Sequence, residues 1–409
     1  MKILYFFIII ISSIILADIN VMKLFTLGKM NVSLLDLFYF IFIISAIRFF
    51  LKGDFAKIRN EGKIYVLFIF SIIFFIAVGY FSFGYRAIGE GRYFYWLFAF
   101  FLPFWIFPLE KEIEVKEILK VFEKTIYISA ILGVILFVLE VIYGGRLFLS
   151  QQNKELVGLT DFRGVRYLGS EETYNITVFI VFLAARMLVA KKVKKIDLIL
   201  ILILTTIVII TRNRAAPVAL ISAFMIYLFL KGNIKALIIL FTIILIPLLV
   251  ILLVFPQFVE SILLSFEGIF NIREDPTGNW RYFVQLTAIE EGLKRPYFGI
   301  GFGEYFNYFI PEFHGKIVEL PPHNAFIHLF SKTGIFPVIL AILSIINFSK
   351  ISLKLSSIKN SNEKLLAFFI TIFVISTSQI FYGMAYGFSI YFGLFMGFFV
   401  NIYYRLHLI

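Results

Sequence analysis

The chain alternates between long apolar runs and shorter polar connections. Twelve apolar runs can be distinguished, although several, including the one at 196–210, are shorter than the roughly 20 residues that a full membrane span needs. The runs lie near residues 3–17, 33–50, 64–83, 92–107, 121–143, 173–190, 196–210, 215–230, 234–255, 325–347, 363–382 and 385–404. The pattern predicts an all-α integral membrane protein with about 12 transmembrane helices, and residues 1–409 are expected to form a single polytopic membrane domain.

Lysine and arginine residues concentrate in alternate connections. The five richest connections lie near residues 48–63, 111–124, 191–195, 231–235 and 350–364. Because cytoplasmic loops of membrane proteins are enriched in these residues, we expect all five, and both termini, to be cytoplasmic. The large loop at 256–324, between spans 9 and 10, and a smaller loop at 144–172 then face outwards. The apolar start of the chain is expected to be an uncleaved first span, because no small-residue cleavage site follows it.

Composition supports a membrane protein and narrows the chemistry. Hydrophobic residues make up 61% of the chain and charged residues 16%, against about 25% charged in soluble proteins. The net charge of +12 does not indicate nucleic acid, since the basic residues fall mostly in short loops. The chain has no cysteine and four histidines, so we expect no disulfide, no metal site and no cofactor.

Two arginines occupy a very short outward connection between apolar runs. Arg212 and Arg214 lie between the runs at 196–210 and 215–230. An arginine at membrane depth costs about 2.5–3.5 kcal/mol on insertion scales, so it is usually paired or functional. The alternative is a pair of arginines that only anchors two helix ends at the interface.

The large outward loop contains a predicted amphipathic helix at 280–288. Residues 277–279 provide capping chemistry before it. Arg281 and Gln285 are four residues apart and share one face, whereas Phe283 and Val284 belong to the opposite, apolar face. Taken alone, Arg281 fits a solvated face residue.

The same loop continues into alternating glycines at 299–303. A phosphate-binding loop is rejected there, because no strand and helix surround the glycines as that motif requires. We expect instead a tight, aromatic-lined turn on the bilayer surface.

A histidine ends the loop. His323 follows two prolines, which stiffen its approach, and it precedes the apolar run at 325–347. A helix start lowers the pKa of a nearby histidine, and a neutral imidazole can act as a general base. The alternative is a capping or interface histidine. His314 in the loop, His328 in the next helix and His407 at the cytoplasmic end are not preferred.

Three ordered segments resemble the O-antigen ligase and O-antigen polymerase superfamily of bacterial membrane glycosyltransferases. Residues 211–216 are similar to its Ser-Arg-Gly-Ala turn, with Arg214 in the arginine position. The segment from Arg281 to Gly301 is similar to its Arg…Ala…Pro-x-x-Gly-x-Gly stretch, and residues 322–335 to its Pro-His-Asn…Gly-Ile stretch. Departures exist, since Asn213 and Ala215 replace the usual Ser and Gly.

The resemblance implies transfer of a glycan from an undecaprenyl diphosphate carrier to an acceptor sugar hydroxyl, without a metal. It makes His323 the catalytic base and Arg214, Arg281 and Arg212 the diphosphate-binding residues, because guanidinium groups suit phosphate oxygens. Arg166, Asn324 and Gln285 are candidate contacts to the acceptor or donor.

The acceptor distinguishes two activities. A polymerase extends another lipid-linked repeat, whereas a ligase joins the glycan to lipid A-core. Glu171 and Glu172 stand where ligases of the family often have Asn-Pro, which favours a polymerase. A chain-length regulator protein is then a candidate partner, and the bacterial inner membrane is the expected location.

Two further classes remain open. A transporter or flippase of lipid-linked sugars would carry ionisable residues within its spans, and Lys332 is the main one here. A non-catalytic assembly subunit would not need the arginines and the histidine to converge.

Overall fold

The computed structural model describes most of the chain. The described residues are 23–27, 30–142, 170–211, 215–233, scattered positions between 236 and 253, 276–304, 307–310, 316–319, 322–358, 362–385 and 388–406. The predicted first span at 3–17, most of the run at 234–255 and most of both outward loops lie outside them. Arg166, Arg212, Arg214, His314 and His407 also lie outside the described residues.

Helices dominate the described residues. Those before the smaller outward loop are α1 Leu34–Leu51, α2 Asp54–Lys57, α3 Asn60–Phe83, α4 Tyr85–Gly91, a 3-10 helix Arg92–Phe101, α5 Leu102–Ile106 and α6 Val115–Ile142. Those after it are α7 Ser170–Val189, α8 Lys195–Ile210, α9 Ala215–Lys231, α10 Pro276–Lys294, α11 Ala325–Thr333, α12 Ile335–Leu355, α13 Glu363–Ala385 and α14 Ile390–Leu406.

Two short pairs of antiparallel strands accompany the helices, and neither pair was predicted from the sequence. The antiparallel strands β1 Lys23–Leu27 and β2 Met30–Ser33 precede α1. The antiparallel strands β3 Asn307–Ile310 and β4 Lys316–Glu319 lie in the large loop, with Asn307 opposite Glu319. The expected all-α architecture therefore holds for the membrane-type segments, while the loop carries a small sheet.

Four helices in the described part of the chain, α3, α6, α12 and α13, are long and apolar enough to cross a membrane. Five shorter apolar segments accompany them, among them most of α7 and all of α9 and α14. Large apolar side chains such as Phe40, Phe74 and Phe229 are exposed on the outside of the bundle. An aqueous surface would not favour such side chains, so a membrane protein is the straightforward interpretation. The count of twelve spans stays a prediction.

Aromatic side chains fill the centre of the bundle. Phe122 of α6 lies 4.9 Å from Phe368 of α13 and 4.7 Å from Phe395 of α14, measured between ring centroids. Phe182 of α7 completes the group at 5.6 Å from Phe122. The tilted and edge-on arrangements are those that aromatic rings prefer. The phenylalanine-rich composition therefore forms an interdigitated core as well as an apolar outer surface.

An ion cluster whose centre, Arg186 and Asp197, is buried joins four helices at the end of the bundle near the Lys191–Lys195 connection. Arg186 Nη1 lies 2.5 Å from Glu123 Oε1, and Arg186 Nε lies 3.6 Å from Asp197 Oδ2. Tyr127 donates a hydrogen bond to Asp197, and Lys364 Nζ lies 2.5 Å from Glu123 Oε2. We call this group the Arg186 cluster. It links α6, α7, α8 and α13. Its buried charges, Arg186 and Asp197, are paired with each other, and a buried charge needs such a partner.

Three predicted boundaries are wrong, each for a local reason. The run at 325–347 is two helices rather than one, because Gly334 adopts φ 77° and ends α11. The loop helix is α10, which begins at Pro276 rather than at 280, so the supposed capping residues lie inside it. Proline is favourable at the first helical position, since its missing N–H is not needed there. The run at 92–107 is a 3-10 helix followed by the short α5.

Candidate functional site

The glycine turn after α10 is built by main-chain hydrogen bonds to two other parts of the chain. Gly299, Gly301 and Gly303 have φ of 62°, 93° and 94°, in the left-handed region that glycine favours. Ile300 N donates to Ser331 O at 2.8 Å, and Gly301 N donates to Lys332 O at 3.0 Å. These amides are used within the protein, and so is the N–H of Gly303, which donates to a carboxylate. The turn therefore does not offer those N–H groups to a phosphate, in agreement with the rejection of a phosphate loop.

Close backbone contact fixes the turn against the break between α11 and α12. A Cβ on Gly299 would lie 2.4 Å from the carbonyl carbon of Lys332. A Cβ on Gly334 would lie 2.3 Å from the carbonyl carbon of Tyr297. Ile335 N also donates to Pro296 O at 2.9 Å. The two glycines thus allow the turn and the start of α12 to touch.

The turn packs more deeply in the protein than expected. Ile300 and Phe302 are buried, whereas Tyr297 and Phe298 are exposed. The predicted tight turn is confirmed, and its central residues are buried in the protein, while its position at the bilayer surface stays a prediction. The backbone of Phe302 lies against α3, where the Phe302 carbonyl oxygen would be 2.4 Å from a Cβ on Gly79.

His323 lies immediately before the cap of α11. Asn324 is the N-cap residue, and its Oδ1 accepts hydrogen bonds from Phe326 N at 3.1 Å and Ile327 N at 3.0 Å. This capping satisfies two of the N–H groups that a helix start leaves open. It gives Asn324, predicted as a substrate contact, a structural role, and it holds the backbone beside His323.

Three influences lower the pKa of His323. Burial, the charge of Arg281 and the charge of His328 bring the pKa of His323 down to about 4. The lowered pKa was predicted from the helix start, and in the structure its causes are burial and the two neighbouring charges. The imidazole is therefore neutral near pH 7, which is the form that can accept a proton.

Arg281 lies beside the face of α10 that packs against the rest of the protein. Val284 and Ala288 are buried and form the face that packs, while Phe283 is 59% exposed. Arg281 and Gln285 are partly buried beside that face. The predicted division into a polar and an apolar face is therefore wrong, and so is a fully solvated Arg281. Because α10 packs on α11, Arg281 comes near enough for its charge to act on His323.

The structure adds a buried carboxylate that the sequence analysis missed. Glu90 Oε1 lies 2.9 Å from His328 Nε2 and 3.0 Å from Lys332 Nζ, both on α11. Glu90 Oε2 accepts a hydrogen bond of 2.6 Å from Gly303 N. Lys332 also donates to the carbonyl of Glu304. We call Glu90, His328, Lys332 and the Gly303 amide the Glu90 cluster.

The carboxyl group of Glu90 is held in its charged form. Burial by itself raises the pKa of Glu90, but the hydrogen bond and charge of His328, the charge of Lys332 and the Gly303 amide outweigh burial and lower it. A carboxylate can only accept, so His328 Nε2 carries the proton of their hydrogen bond. The sequence contained a signal for this ion pair. Glu90 precedes one apolar run and Lys332 lies within another, and an ionisable residue at such a position needs a partner.

The remaining predicted site residues are not brought together by the described structure. Arg214, Arg212 and Arg166 lie outside the described residues. Helix α8 ends before Thr211, and α9 begins at Ala215, so the two arginines connect these helices along the chain. Within the described residues, no group of three or more His, Asp or Glu side chains has an arrangement that could hold a metal ion.

The comparison with protein families agrees with the resemblance. Residues 199–342 match the family model described as O-antigen ligase. This match, over about a third of the chain, supports membership in the O-antigen ligase and O-antigen polymerase superfamily. The matched segment includes Arg212, Arg214, Arg281 and His323, and it ends within α12. No curated protein matches the chain.

Proposed function

We propose that this protein is a membrane glycosyltransferase that uses a glycan carried on undecaprenyl diphosphate. The acceptor is a sugar hydroxyl, and the most favoured activity is the polymerisation of a surface polysaccharide. The observation that carries the proposal is His323: partly buried, with a lowered pKa, beside Arg281 and inside the matched segment. A general base next to a cation is the arrangement that transfer away from a diphosphate needs.

Each residue has one task in the proposed reaction. The acceptor hydroxyl oxygen attacks the anomeric carbon of the donor glycan and forms the new glycosidic bond. The bond between that carbon and the diphosphate oxygen breaks, and the undecaprenyl diphosphate leaves with the bonding electrons. His323 accepts the hydroxyl proton and later releases it to water. Arg281, with Arg214 and Arg212, stabilises the charge that develops on the leaving diphosphate.

The proposed site faces outwards, opposite the Lys191–Lys195 connection. Loop charge supports this orientation, with both termini and the basic connections in the cytoplasm. The proposal includes the twelve spans and the large loop at 256–324 on the periplasmic side of the inner membrane. Both substrates carry long lipid tails, which fits a catalytic site at the end of an apolar bundle.

The acceptor decides between polymerase and ligase. Glu171 and Glu172 favour the polymerase, whereas the description of the matched family favours the ligase, which joins the glycan to lipid A-core. The experiment is reconstitution of the purified protein with a lipid-linked repeat, with and without lipid A-core. A polymerase elongates the repeat without lipid A-core. Product formed only when lipid A-core is present would assign the ligase, and no glycan transfer to either acceptor would contradict the enzyme proposal.

A further inference from the structure

We propose that Glu90 is a positioning residue for the transfer reaction, which fixes α11 and the glycine turn and thereby holds His323 in place. The inference rests on the proposed function, in which His323 is the base. Glu90 belongs to α4, outside the segment that matches the family model, and 238 positions separate it from His328. It therefore adds to the site a residue from the other half of the chain.

The geometry requires both carboxylate oxygens. Oε1 of Glu90 contacts His328 at 2.9 Å and Lys332 at 3.0 Å, and Oε2 accepts from Gly303 N at 2.6 Å. His328 and Lys332 are four residues apart, so they share one face of α11. A carboxylate that binds this face at two successive turns sets both the rotation of the helix and its position along its axis.

The position of α11 is transmitted directly to His323. His328 N donates to Asn324 O at 2.8 Å in the first turn of the helix, and Asn324 follows His323. On the other side, the Gly303 amide ties the glycine turn to the same carboxylate. That turn continues from α10, which carries Arg281. The Glu90 carboxylate therefore contacts both α11, which follows the proposed base His323, and the glycine turn, which follows the helix that carries Arg281.

Burial makes these contacts strong. Glu90 and Lys332 are each 1% exposed, and His328 is 4% exposed. Hydrogen bonds to ionised groups in a buried setting are stronger than neutral ones, and a charge left without its partner is destabilising. An uncharged residue at 90 would leave Lys332 as a buried cation whose carboxylate partner has been removed.

The first test is Glu90→Gln, which preserves size but replaces one acceptor oxygen by an NH₂ group. We expect the variant to insert and to keep the KM for the lipid-linked donor, while kcat per folded molecule falls about 10–100-fold. The matched control is Asp197→Asn, which removes a buried carboxylate from the Arg186 cluster. That control should lose thermal stability and keep its kcat. An equal fall of kcat in the control would overturn the positioning role.

The second test is the double variant Glu90→Gln with Lys332→Met, which also removes the cation that faces Glu90. If Glu90 positions α11, stability recovers but kcat remains low. Recovery of both would show that Glu90 only neutralises Lys332, and the inference would fail. His323→Ala in the same assay separates the two proposals. If wild type transfers glycan and His323→Ala does not, while Glu90→Gln keeps full kcat, the proposed function stands and only the positioning role is lost.

Discussion

The Arg186 cluster and the Glu90 cluster both consist of paired charges, but they hold different parts of the protein together. The Arg186 cluster pairs an arginine with two carboxylates and ties together four helices. The Glu90 cluster pairs a carboxylate with Lys332 and His328 and ties a helix to a glycine turn. The contacts described for the first cluster join helices, whereas the second includes His328, one helical turn after the Asn324 that follows His323. Burial of an ion pair therefore does not by itself indicate a functional role; the segment that the ion pair positions is what suggests one.

The clusters also lie at opposite ends of one helix. Helix α12 starts beside the glycine turn, and its end leads through a short connection to Lys364 of α13, which contacts Glu123. Its 21 residues span about 30 Å at 1.5 Å per residue, the thickness of a bilayer core. The comparison therefore predicts that one cluster lies near each face of the membrane.

Chemical labelling can test whether the two clusters lie at opposite faces of the membrane, and it has the largest expected effect because each site is either labelled or not. The chain has no cysteine, so single cysteines can be introduced at Lys194, near the Arg186 cluster, and at the exposed Phe298 of the glycine turn. In right-side-out vesicles, a thiol reagent that cannot cross membranes should label Phe298→Cys and not Lys194→Cys until detergent is added. The reverse pattern would invert the topology and remove the proposed outward site.

The largest effect on rate is expected at the proposed base. His323→Ala should insert normally, bind the donor and lose transfer by about 10²–10⁴-fold, as removal of a general base typically does. His314→Ala is a matched histidine control in the same loop, and Tyr127→Phe is the control in the Arg186 cluster. Both should retain transfer, and a chelator should change none of these results. Strong transfer by His323→Ala, or its loss from chelator alone, would contradict the mechanism.

Substitution of arginine by lysine should affect the transfer rate at the proposed site and the thermal stability at the Arg186 cluster. Arg281→Lys and Arg214→Lys keep the charge but lose the two-pronged contact with a diphosphate, so transfer should fall about 10–100-fold. Arg212→Lys should be milder, because Arg212 fits an anchoring role. Arg186→Lys in the other cluster should lower thermal stability and leave kcat unchanged. Normal transfer rates in both Arg281→Lys and Arg214→Lys would end the diphosphate assignment.

The smallest expected effect is a shift in pH dependence. His323 must be neutral to act as a base, so activity should fall as the pH drops through its pKa of about 4. Arg281 lowers the pKa of His323, and Arg281→Gln should therefore move the acidic limb of the kcat profile to higher pH. Arg186→Gln should leave the limb in place. An unmoved limb in Arg281→Gln would show that His323 and Arg281 do not interact during transfer.

Local features of the site could be predicted from the sequence. The histidine before α11 and the tight glycine turn follow from residues that are neighbours in the chain, whereas Asn324 was predicted as a substrate contact and is the N-cap of α11. Proline restricts the backbone and glycine permits positive φ, and both effects are local, so they are visible without tertiary structure. The break at Gly334 was missed because the apolar pattern continues through it, and only contact with Tyr297 shows why a glycine is needed there.

The partner of Lys332 could not be predicted in the same way. The isolated lysine in an apolar run indicates that some carboxylate must meet it, but several acidic residues were available. The choice of Glu90 depends on how α4 packs beside the glycine turn, where a Cβ on Gly303 would lie 2.8 Å from Ala87 N. Such long-range packing is a property of the fold.

The distance along the chain between Glu90 and its partners has a consequence for biogenesis. Gly303 is 213 residues and His328 238 residues further on, so Glu90 is synthesised long before any of them emerges from the ribosome. A lone carboxylate in an apolar environment is costly, so the nascent chain must keep Glu90 hydrated or protonated until α11 arrives. The contacts of α4 with the glycine turn and α11 therefore form only late in synthesis. A chain that stops before α11 lacks His328 and Lys332, and it therefore leaves the Glu90 carboxylate without both of these buried contacts.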